Sequence, residues 1–193
     1  MVLGVGTTEN PIKISIDHFY GIEINDFAVT VARTALWISE NQTMQETEEI
    51  VHADLDFLPL KTAAHIVEKN ALRFDWNDLV PNTELNYIIG NPPFLGARVM
   101  APWQKKDVND VFAGWKNIGN LDYVACWYKK VSDYIERTTI RAALVSTNSI
   151  TQGEAVSILW KPLFRDGVHI DFAYRTFQWD SEANIKAHVH CTS

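Results

Sequence analysis

The sequence predicts an α/β fold with a largely parallel sheet and an antiparallel pair of strands at one edge. Short apolar runs that are typical of buried strands alternate with segments of helical periodicity, as expected where helices connect parallel strands. The last two apolar runs follow each other with no helical segment between them, which indicates the antiparallel pair. No repeat or linker divides residues 1–193, so we expect a single domain.

A strand and a helix are predicted first. Residues 18–24 form an apolar run that suits a strand running into a turn. Asn25 and Asp26 follow, and both residue types cap helix N-termini by accepting hydrogen bonds from free backbone N–H groups. From Phe27 to Ile38, apolar residues recur every three or four positions, which predicts a helix with a broad apolar face.

Two further strands are predicted after a polar segment. The mixed residues 41–64 predict a loop or insertion. His65–Glu68 (HIVE) is a short apolar run that suits a strand ending at Asn70. Residues 86–89 predict another strand, which must end at Gly90 and the two prolines behind it, because proline cannot donate to the hydrogen-bond ladder of a sheet.

The second half of the chain begins with a long polar stretch in which we predict no element. Residues 122–137 carry apolar side chains along one stripe and predict a helix, and residues 141–146 predict a buried strand. A short helix is predicted over residues 154–164, with Pro162 disturbing its end.

Two strands are predicted to close the chain, at residues 168–174 and 186–191, joined by a loop that contains Phe177 and Trp179. The second strand carries a His-x-His-Cys sequence, His188 to Cys191, and a strand places both histidines on one face. No second pair of ligands with suitable spacing occurs, so the sequence predicts no metal site.

Composition and charge exclude several classes of protein. No apolar run approaches the roughly 20 residues of a membrane-spanning helix, and residues 1–11 lack the basic start and long apolar segment of a secretory signal. Only two cysteines occur, Cys126 and Cys191, so we expect a reducing cytoplasm rather than a disulfide scaffold. The net charge of −7 does not fit a stand-alone DNA-binding protein, because phosphate contacts need a basic surface. Either the partner is not nucleic acid, or the basic surface lies in polypeptide outside this chain.

The most informative segment is residues 87–94 (YIIGNPPF). It places a polar tetrapeptide (GNPP) just past the carboxyl end of a predicted strand, which is where open α/β sheets bind ligands. Pro92 biases Asn91 toward an extended backbone, and Pro93 does the same to Pro92, so the loop is stiff. Phe94 offers a flat face for a planar ring. The alternative is a tight turn, because glycine and Asn-Pro are common in turns.

A resemblance to a known family extends over nearly the whole chain, from about His18 to Cys191. Its most specific part is Asn-Pro-Pro-Phe, and FYGIEIND, IVEKNAL, NLDYVACWYKKV, RAALVSTNS and RTFQWDSEANIKAHVHC stand in the family's order. The sequence resembles the N6-adenine and N4-cytosine DNA methyltransferases, especially the large single-chain bacterial restriction–modification enzymes that join a nuclease, a methyltransferase and a target-recognition domain. The resemblance implies a Rossmann-like class I methyltransferase sheet, S-adenosylmethionine as cofactor and double-stranded DNA as partner.

For the Asn91 to Phe94 segment, the resemblance implies a catalytic role that agrees with its chemistry. An exocyclic amino nitrogen is a poor nucleophile, because its lone pair is delocalised into the base. The Asn91 side-chain oxygen and the Pro92 carbonyl can accept its two hydrogens and turn the lone pair toward a methyl donor. Pro93 stiffens the loop, and Phe94 can stack on a base swung out of the duplex. Adenine is favoured over cytosine, and methylation of RNA or a protein amide stays open.

The resemblance also implies a set of cofactor-binding residues. Glu23 matches the acidic residue that accepts hydrogen bonds from the ribose hydroxyls, although a surface glutamate after a strand is the alternative. Asn70 matches a position, often Asp in relatives, that meets the adenine amino group of the cofactor. Turn formation is the alternative for Asn70, and it is the favoured interpretation of nearby Asp75. Ile24, Ala71 and Gly90 complete the implied set.

The final hairpin of the family carries an aromatic residue that helps to hold the target base. Phe177 matches it best, and Trp179 is the second candidate. A buried aromatic between two strands is the alternative for both positions.

Two features of the family have no counterpart in the sequence. The glycine-rich first cofactor motif should precede Phe19, but nothing in residues 1–17 matches it, which implies a sheet without its first central strand. No target-recognition domain follows the last strand. We therefore expect a fragment of a longer polypeptide that supplies the DNA contacts, with weak cofactor binding and no methylation by the fragment alone. The alternative from a different class is a non-catalytic remnant or interaction module.

Overall fold

The computed structural model describes residues 14–52, 63–174, 177–178 and 186–192. The chain forms two compact units, residues 1–74 and residues 75–193. The boundary falls between Phe74 and Asp75, where the sequence has no Gly/Pro-rich linker.

The first unit is built from a strand, a helix and a second strand. Strands β1 (Tyr20–Glu23) and β2 (His65–Glu68) pair in parallel, with Tyr20 opposite His65 and Glu23 opposite Glu68. Helix α1 (Asp26–Val51) connects them and begins at its N-cap Asn25, whose side-chain oxygen accepts a hydrogen bond from the Ala28 N–H at 3.0 Å. The predicted strand, cap and following strand are confirmed.

The core of the first unit lies between α1 and the strand pair. Val29, Ala64 and Ile66 form a buried cluster, against which Ala32 and Leu36 of α1 pack. Val29, Ala32 and Leu36 recur every three or four residues along α1, so they lie on one face of the helix, and this face packs on the strands.

The prediction of a loop over residues 41–64 is wrong for its first part, because α1 continues to Val51. Residues 41–50 contain Gln, Glu and Met, which have good helix propensity, and neither Gly nor Pro. Thr43 and Thr47 satisfy their hydroxyls on backbone carbonyls one turn earlier, at 2.9 and 2.7 Å. Met44 is buried, so this polar segment still has a packed position. His52 ends the helix in the left-handed conformation.

The second unit contains a mixed sheet. Its strands are β3 (Tyr87–Gly90), β4 (Arg141–Thr147), β5 (Ile170–Ala173), β6 (Phe177–Gln178) and β7 (Lys186–Thr192). The order is β3-β4-β7-β5, with β6 pairing to β7. Strands β3 and β4 are parallel, whereas β7 is antiparallel to β4, β5 and β6.

The closing strands are antiparallel, as predicted, but two details differ. The chain returns so that β7 lies inside the sheet, between β4 and β5. Phe177 was predicted in the connecting loop, yet its backbone forms β6 and pairs with Ala187. An α/β fold is thus confirmed, and the single Rossmann-like sheet without its first central strand stays a prediction.

In the second unit, helix α2 (Pro102–Val111) packs against helix α3 (Ala125–Ile135), and α3 packs against β4 of this sheet. Helix α2 lies in the stretch where no element was predicted, and Pro102 starts it at a position where a missing N–H costs nothing. Helix α3 matches the predicted helix and buries one stripe of its surface. Over residues 14–52, 63–174 and the two short final ranges, no helix has the length and apolar character needed to cross a membrane.

The predicted helix over residues 154–164 is present, and it is irregular beside Pro162. Helical residues run without a break from 154 to 165, as a π-helical turn at Val156–Trp160 that leads into helix α4 (Lys161–Arg165). Because proline has no N–H to donate to the preceding turn, a disturbed ladder beside Pro162 is the effect that the sequence predicts.

Candidate functional site

The Asn-Pro-Pro-Phe segment leaves the sheet at the carboxyl end of β3. Gly90, the last residue of β3, pairs with Leu144 of β4, and residues 91–96 then belong to no helix or strand. Asn91 and Pro93 are exposed, Pro92 is buried and Phe94 is partly buried. The segment is thus a surface loop that is anchored through its first proline.

The Asn91 side chain and the Pro92 carbonyl are the two acceptors of this loop that the proposed chemistry would use. Among the described residues, none donates a hydrogen bond to the Asn91 side chain or to the Pro92 carbonyl. Phe94 likewise has no ring contact within these ranges. The exposed Asn91 amide can accept a hydrogen bond from an amino group, and the partly buried Phe94 is an aromatic ring of the kind that stacks on planar molecules.

The far end of the loop is fixed by the turn that precedes α3. The Tyr123 N–H donates to the Leu95 carbonyl at 2.9 Å, and the Ala97 N–H donates to Asp122 Oδ1 at 3.0 Å. We did not anticipate this contact from the sequence, in which Asp122 is the first residue of the helix predicted over residues 122–137. It joins residues that are 25 positions apart.

A buried polar pair lies behind this turn. The Tyr123 hydroxyl donates to Asp107 Oδ2 of α2 at 2.8 Å, with Tyr123 only 3% exposed and Asp107 only 1% exposed. Trp103 and Trp127 contact the Tyr123 ring edge-on, at centroid distances of 6.3 and 5.2 Å. The turn is therefore held from behind as well as from the loop.

A cavity of about 560 Å³ lies beyond Gly96. Its walls are residues 96–99, 119–122 and part of 149–155, which follow the carboxyl ends of β3 and β4 or precede α3. Arg98, Asp122 and Glu154 give it charged groups of both signs, and Asn120 donates to Glu154 Oε2 at 2.6 Å. Asn91 and Phe94 are not among its walls.

In the first unit, the structure brings Glu23 and Asn70 to the same end of the β1–β2 pair. The Lys69 N–H donates to the Glu23 carbonyl at 2.9 Å, so the chain after β2 runs beside the end of β1. Glu23 Oε1 accepts the N–H groups of Ile24 and Asn25 at 2.8 and 3.0 Å, which fixes the carboxylate. Its other oxygen, Oε2, has no partner among the described residues.

Asn70 makes a local turn, as its alternative interpretation predicted. Its Oδ1 accepts the Leu72 N–H at 2.9 Å, and its carbonyl accepts from Arg73 and Phe74. Asp75 is also a turn residue, because its Oδ1 accepts the Asn77 N–H at 3.0 Å. That hydrogen bond is the main cause that lowers the pKa of the Asp75 carboxyl.

The structure therefore groups the candidate residues by unit. Glu23 and Asn70 lie together in the first unit, and Asn91 and Phe94 lie in the second. Ile24 is 61% exposed beside Glu23. The side chain of Phe177 falls outside the described part of the chain, as do Trp179 and the side chains of His188, His190 and Cys191. Within the described part, no three metal-ligating side chains cluster.

Comparison with known proteins identifies the family of the chain. Residues 2–193 match the family model described as MmeI, DNA-methyltransferase domain. The chain belongs to this family. A curated relative, DNA methyltransferase A of Bacillus subtilis (strain 168), is 43% identical over 180 residues. The match takes in 92% of this chain and 20% of the relative.

Two solved structures extend the comparison. The Type IIL restriction–modification enzyme MmeI, solved in complex with DNA, superposes with a TM-score of 0.89 at 41% identity over 94% of this chain and 25% of that one. A modification subunit of a putative type I restriction enzyme from Vibrio vulnificus YJ016 shares the fold, with a TM-score of 0.52 at 15% identity over 90% of this chain and 32% of that one. The resemblance to restriction–modification methyltransferases is thus confirmed. The chain spans 25% of the length of MmeI and 20% of the length of DNA methyltransferase A.

Proposed function

We propose that the polypeptide containing this chain methylates an exocyclic amino group of a DNA base, with adenine N6 as the favoured target. The observation that carries the proposal is the free Asn91 side chain at the end of β3, followed by two prolines and the partly buried Phe94. Membership of the MmeI methyltransferase family supports the reaction class.

The proposed chemistry assigns each residue of the loop a task. The Asn91 side-chain oxygen and the Pro92 carbonyl accept the two amino hydrogens, so that the nitrogen lone pair points out of the plane of the base. Phe94 stacks on the extruded base, with Phe177 as a second aromatic contact, and extrusion is required because the amino group is otherwise paired inside the duplex. Pro93 keeps the two oxygens in register by removing backbone freedom.

The residues of the first unit fit S-adenosylmethionine. Glu23 presents a fixed carboxylate with Oε2 free, which suits the paired hydroxyls of a ribose. Asn70, Ile24 and Ala71 are the other proposed contacts from this unit, with Asn70 offering its amide beside the turn that it forms. Gly90, the last residue of β3, is the proposed contact that comes from the second unit. When bound, the cofactor supplies a methyl group on a sulfonium, so that the C–S bond breaks as the C–N bond forms, a thioether remains and the nitrogen loses one proton to water.

DNA contacts are assigned to polypeptide outside this chain. The net charge of −7 makes residues 1–193 a poor surface for phosphates on their own. The MmeI structure with DNA, of which this chain spans only 25%, supports that assignment.

The test is methylation of DNA by the complete polypeptide with labelled S-adenosylmethionine, followed by identification of the modified base. Replacing Asn91 by Ala should lower kcat by about 10²–10³-fold, the range seen when one preorganised polar contact is removed from an active site. Since Asn91 is exposed and unbonded among the described residues, the variant should keep its folding stability to within about 0.5 kcal/mol.

Asn86→Ala is the matched control. Asn86 is an exposed asparagine just before β3, and its recorded hydrogen bond uses the backbone carbonyl, which alanine retains. It should methylate like the unmodified enzyme. Normal methylation by the Asn91 variant, or methyl groups found only on ring carbons, would remove the proposal.

A further inference from the structure

The loop that carries Asn91 is fixed at both ends, although it contains no secondary structure. Its first end is β3, paired to β4 through Gly90 and Leu144. Its other end is held by two hydrogen bonds from the turn before α3, to Leu95 and from Ala97. Asn91 therefore lies in a short span between two anchors, and its position depends on both of them.

We propose that Asp122 is a positioning residue of the methyl-transfer reaction, which holds the Asn91 loop through the backbone N–H of Ala97. This inference rests on the proposed function of the loop. Asp122 Oδ1 accepts the Ala97 N–H at 3.0 Å. Ala97 lies only three positions after Phe94 in the chain. A hydrogen bond to a carboxylate is stronger than one between neutral groups, so it suits a contact that must keep an irregular loop in place.

The contact is not explained by helix capping. An aspartate just before a helix commonly caps its N-terminus, but α3 has no side-chain cap hydrogen bond. The Asp122 backbone carbonyl does accept the Ala125 N–H at 3.0 Å, which ties the residue to the start of α3. The backbone carbonyl of Asp122 thus hydrogen-bonds to α3, while its carboxylate hydrogen-bonds to the loop.

Tyr123, the residue after Asp122, is held by two hydrogen bonds. Tyr123 donates its backbone N–H to Leu95 and its hydroxyl to Asp107, and both Tyr123 and Asp107 are almost fully buried. Asp107 lies on α2, which follows the loop along the chain at Pro102. After the loop, the chain forms α2, and Tyr123 then contacts both α2 and the loop. Asp122, the residue before Tyr123, is therefore held in place next to the loop.

If Asp122 positions the loop, its loss should affect kcat and the KM for the cofactor differently. A displacement of about 1 Å in a reacting group can cost on the order of 10²-fold in rate, because the aligned geometry is lost. Loss of the Asp122 contact should therefore lower kcat, with little effect on the KM for S-adenosylmethionine, whose proposed ribose contact, Glu23, belongs to the first unit.

The experiment compares Asp122→Ala and Asp122→Asn in the complete polypeptide, with Asp110→Ala as control. Asp110 is an exposed carboxylate on α2 that pairs with Lys106 on the helix surface. We expect kcat to fall by about 10²-fold in Asp122→Ala, to recover largely in Asp122→Asn, which keeps an acceptor oxygen, and to stay unchanged in Asp110→Ala.

Hydrogen exchange over residues 95–99 is the second measurement, and it does not depend on activity. Exchange should accelerate in Asp122→Ala and stay slow in the other two variants. An alanine variant with normal kcat or normal exchange overturns the inference, and so does an asparagine variant that behaves like alanine. If the unmodified polypeptide transfers no methyl group, the proposed function fails, while exchange over residues 95–99 still decides whether Asp122 fixes the loop.

Discussion

Tyr123 and Asp107 form a hydrogen bond of 2.8 Å in the interior of the second unit, between the hydroxyl of one and the carboxylate of the other. Both side chains are removed from water, at 3% and 1% exposure. A buried carboxylate is costly unless it is hydrogen-bonded, so the Tyr123 hydroxyl contributes to the packing of α2 against the turn before α3.

Replacing Tyr123 by Phe should lower the free energy of unfolding by about 1–3 kcal/mol, the cost of leaving a buried polar group with one hydrogen bond fewer. The ring and its contacts with Trp103 and Trp127 remain, so the loss reports the hydroxyl. Denaturant unfolding measures it. Tyr174→Phe is the matched control, because Tyr174 is exposed, and it should unfold at the unmodified midpoint. Equal midpoints for the two variants would mean that the hydroxyl does not stabilise the fold.

Met44 tests the extension of α1 through the segment where we expected a loop. Truncating a buried Met to Ala costs about 2–5 kcal/mol, because transfer energy is lost and a cavity is left. Met44 is 7% exposed, so Met44→Ala should fall in this range, measured by thermal or denaturant unfolding. Exposed Gln42 is the control, and Gln42→Ala should change stability by less than about 0.5 kcal/mol. A loop over these residues would make both changes neutral.

These residues also show how much of the fold the sequence could predict. The bounds of β2 agree with the prediction because His65–Glu68 is a short apolar run with polar residues on one side and a turn on the other. The second half of α1 was missed because its stability comes from propensity and one buried methionine rather than from an apolar stripe. Periodicity detects a helix only where one face is continuously apolar.

The candidate site also contains residues that the sequence could predict and residues that it could not. Asn91 and Phe94 could be selected because the chemistry of the loop is contiguous in sequence and follows a strand. The contact of Asp122 with Ala97 joins positions 25 residues apart and leaves no pattern in a single sequence. Asn70 was ambiguous because the same amide that can meet a ligand also forms a local turn, and the structure shows the turn.

Cys126 should be unreactive in the folded protein. Burial, and secondarily the charge of Asp107, raises the pKa of its thiol from 9.0 to about 12. At pH 8 the thiolate fraction is then roughly one part in 10,000, and the side chain is also inaccessible. Alkylation with iodoacetamide, read by mass spectrometry of the peptide that contains Cys126, should proceed only after denaturation. Rapid labelling of this peptide under native conditions would contradict the burial.

The same shift makes folding stability fall at alkaline pH. The unfolded thiol releases its proton near pH 9.0, whereas the folded thiol keeps it until about pH 12. The contribution is therefore complete below pH 9.0 and is lost as the pH rises toward 12. Tyr134 acts in the same direction, because burial, with the charges of Asp75 and Glu84, raises its pKa. Unfolding midpoints between pH 8 and 11 should decline less steeply in Cys126→Ala than in the unmodified protein, and equal slopes would contradict the shift.

Glu23 provides a prediction about cofactor affinity that is independent of the loop. Its Oε1 is fixed by the backbone of Ile24 and Asn25, and its Oε2 is the proposed acceptor for the ribose hydroxyls. Glu23→Gln keeps an oxygen for the two backbone N–H groups, so the turn before α1 should persist. Loss of a hydrogen bond to a charged group costs about 1.5–3 kcal/mol, or roughly 10- to 150-fold in Kd.

Calorimetric titration of the complete polypeptide with S-adenosylmethionine measures this effect. Glu68 is the matched control, because it is an exposed glutamate that pairs with Glu23 in the register of the two strands. Glu68→Gln makes the same change of charge one strand away, so it should bind the cofactor normally if the Glu23 effect is a direct contact. If both variants weakened cofactor binding equally, the cause would be a general effect of charge instead. A direct contact with two hydroxyls depends on the position of one carboxylate and not on the net charge of the strand ends.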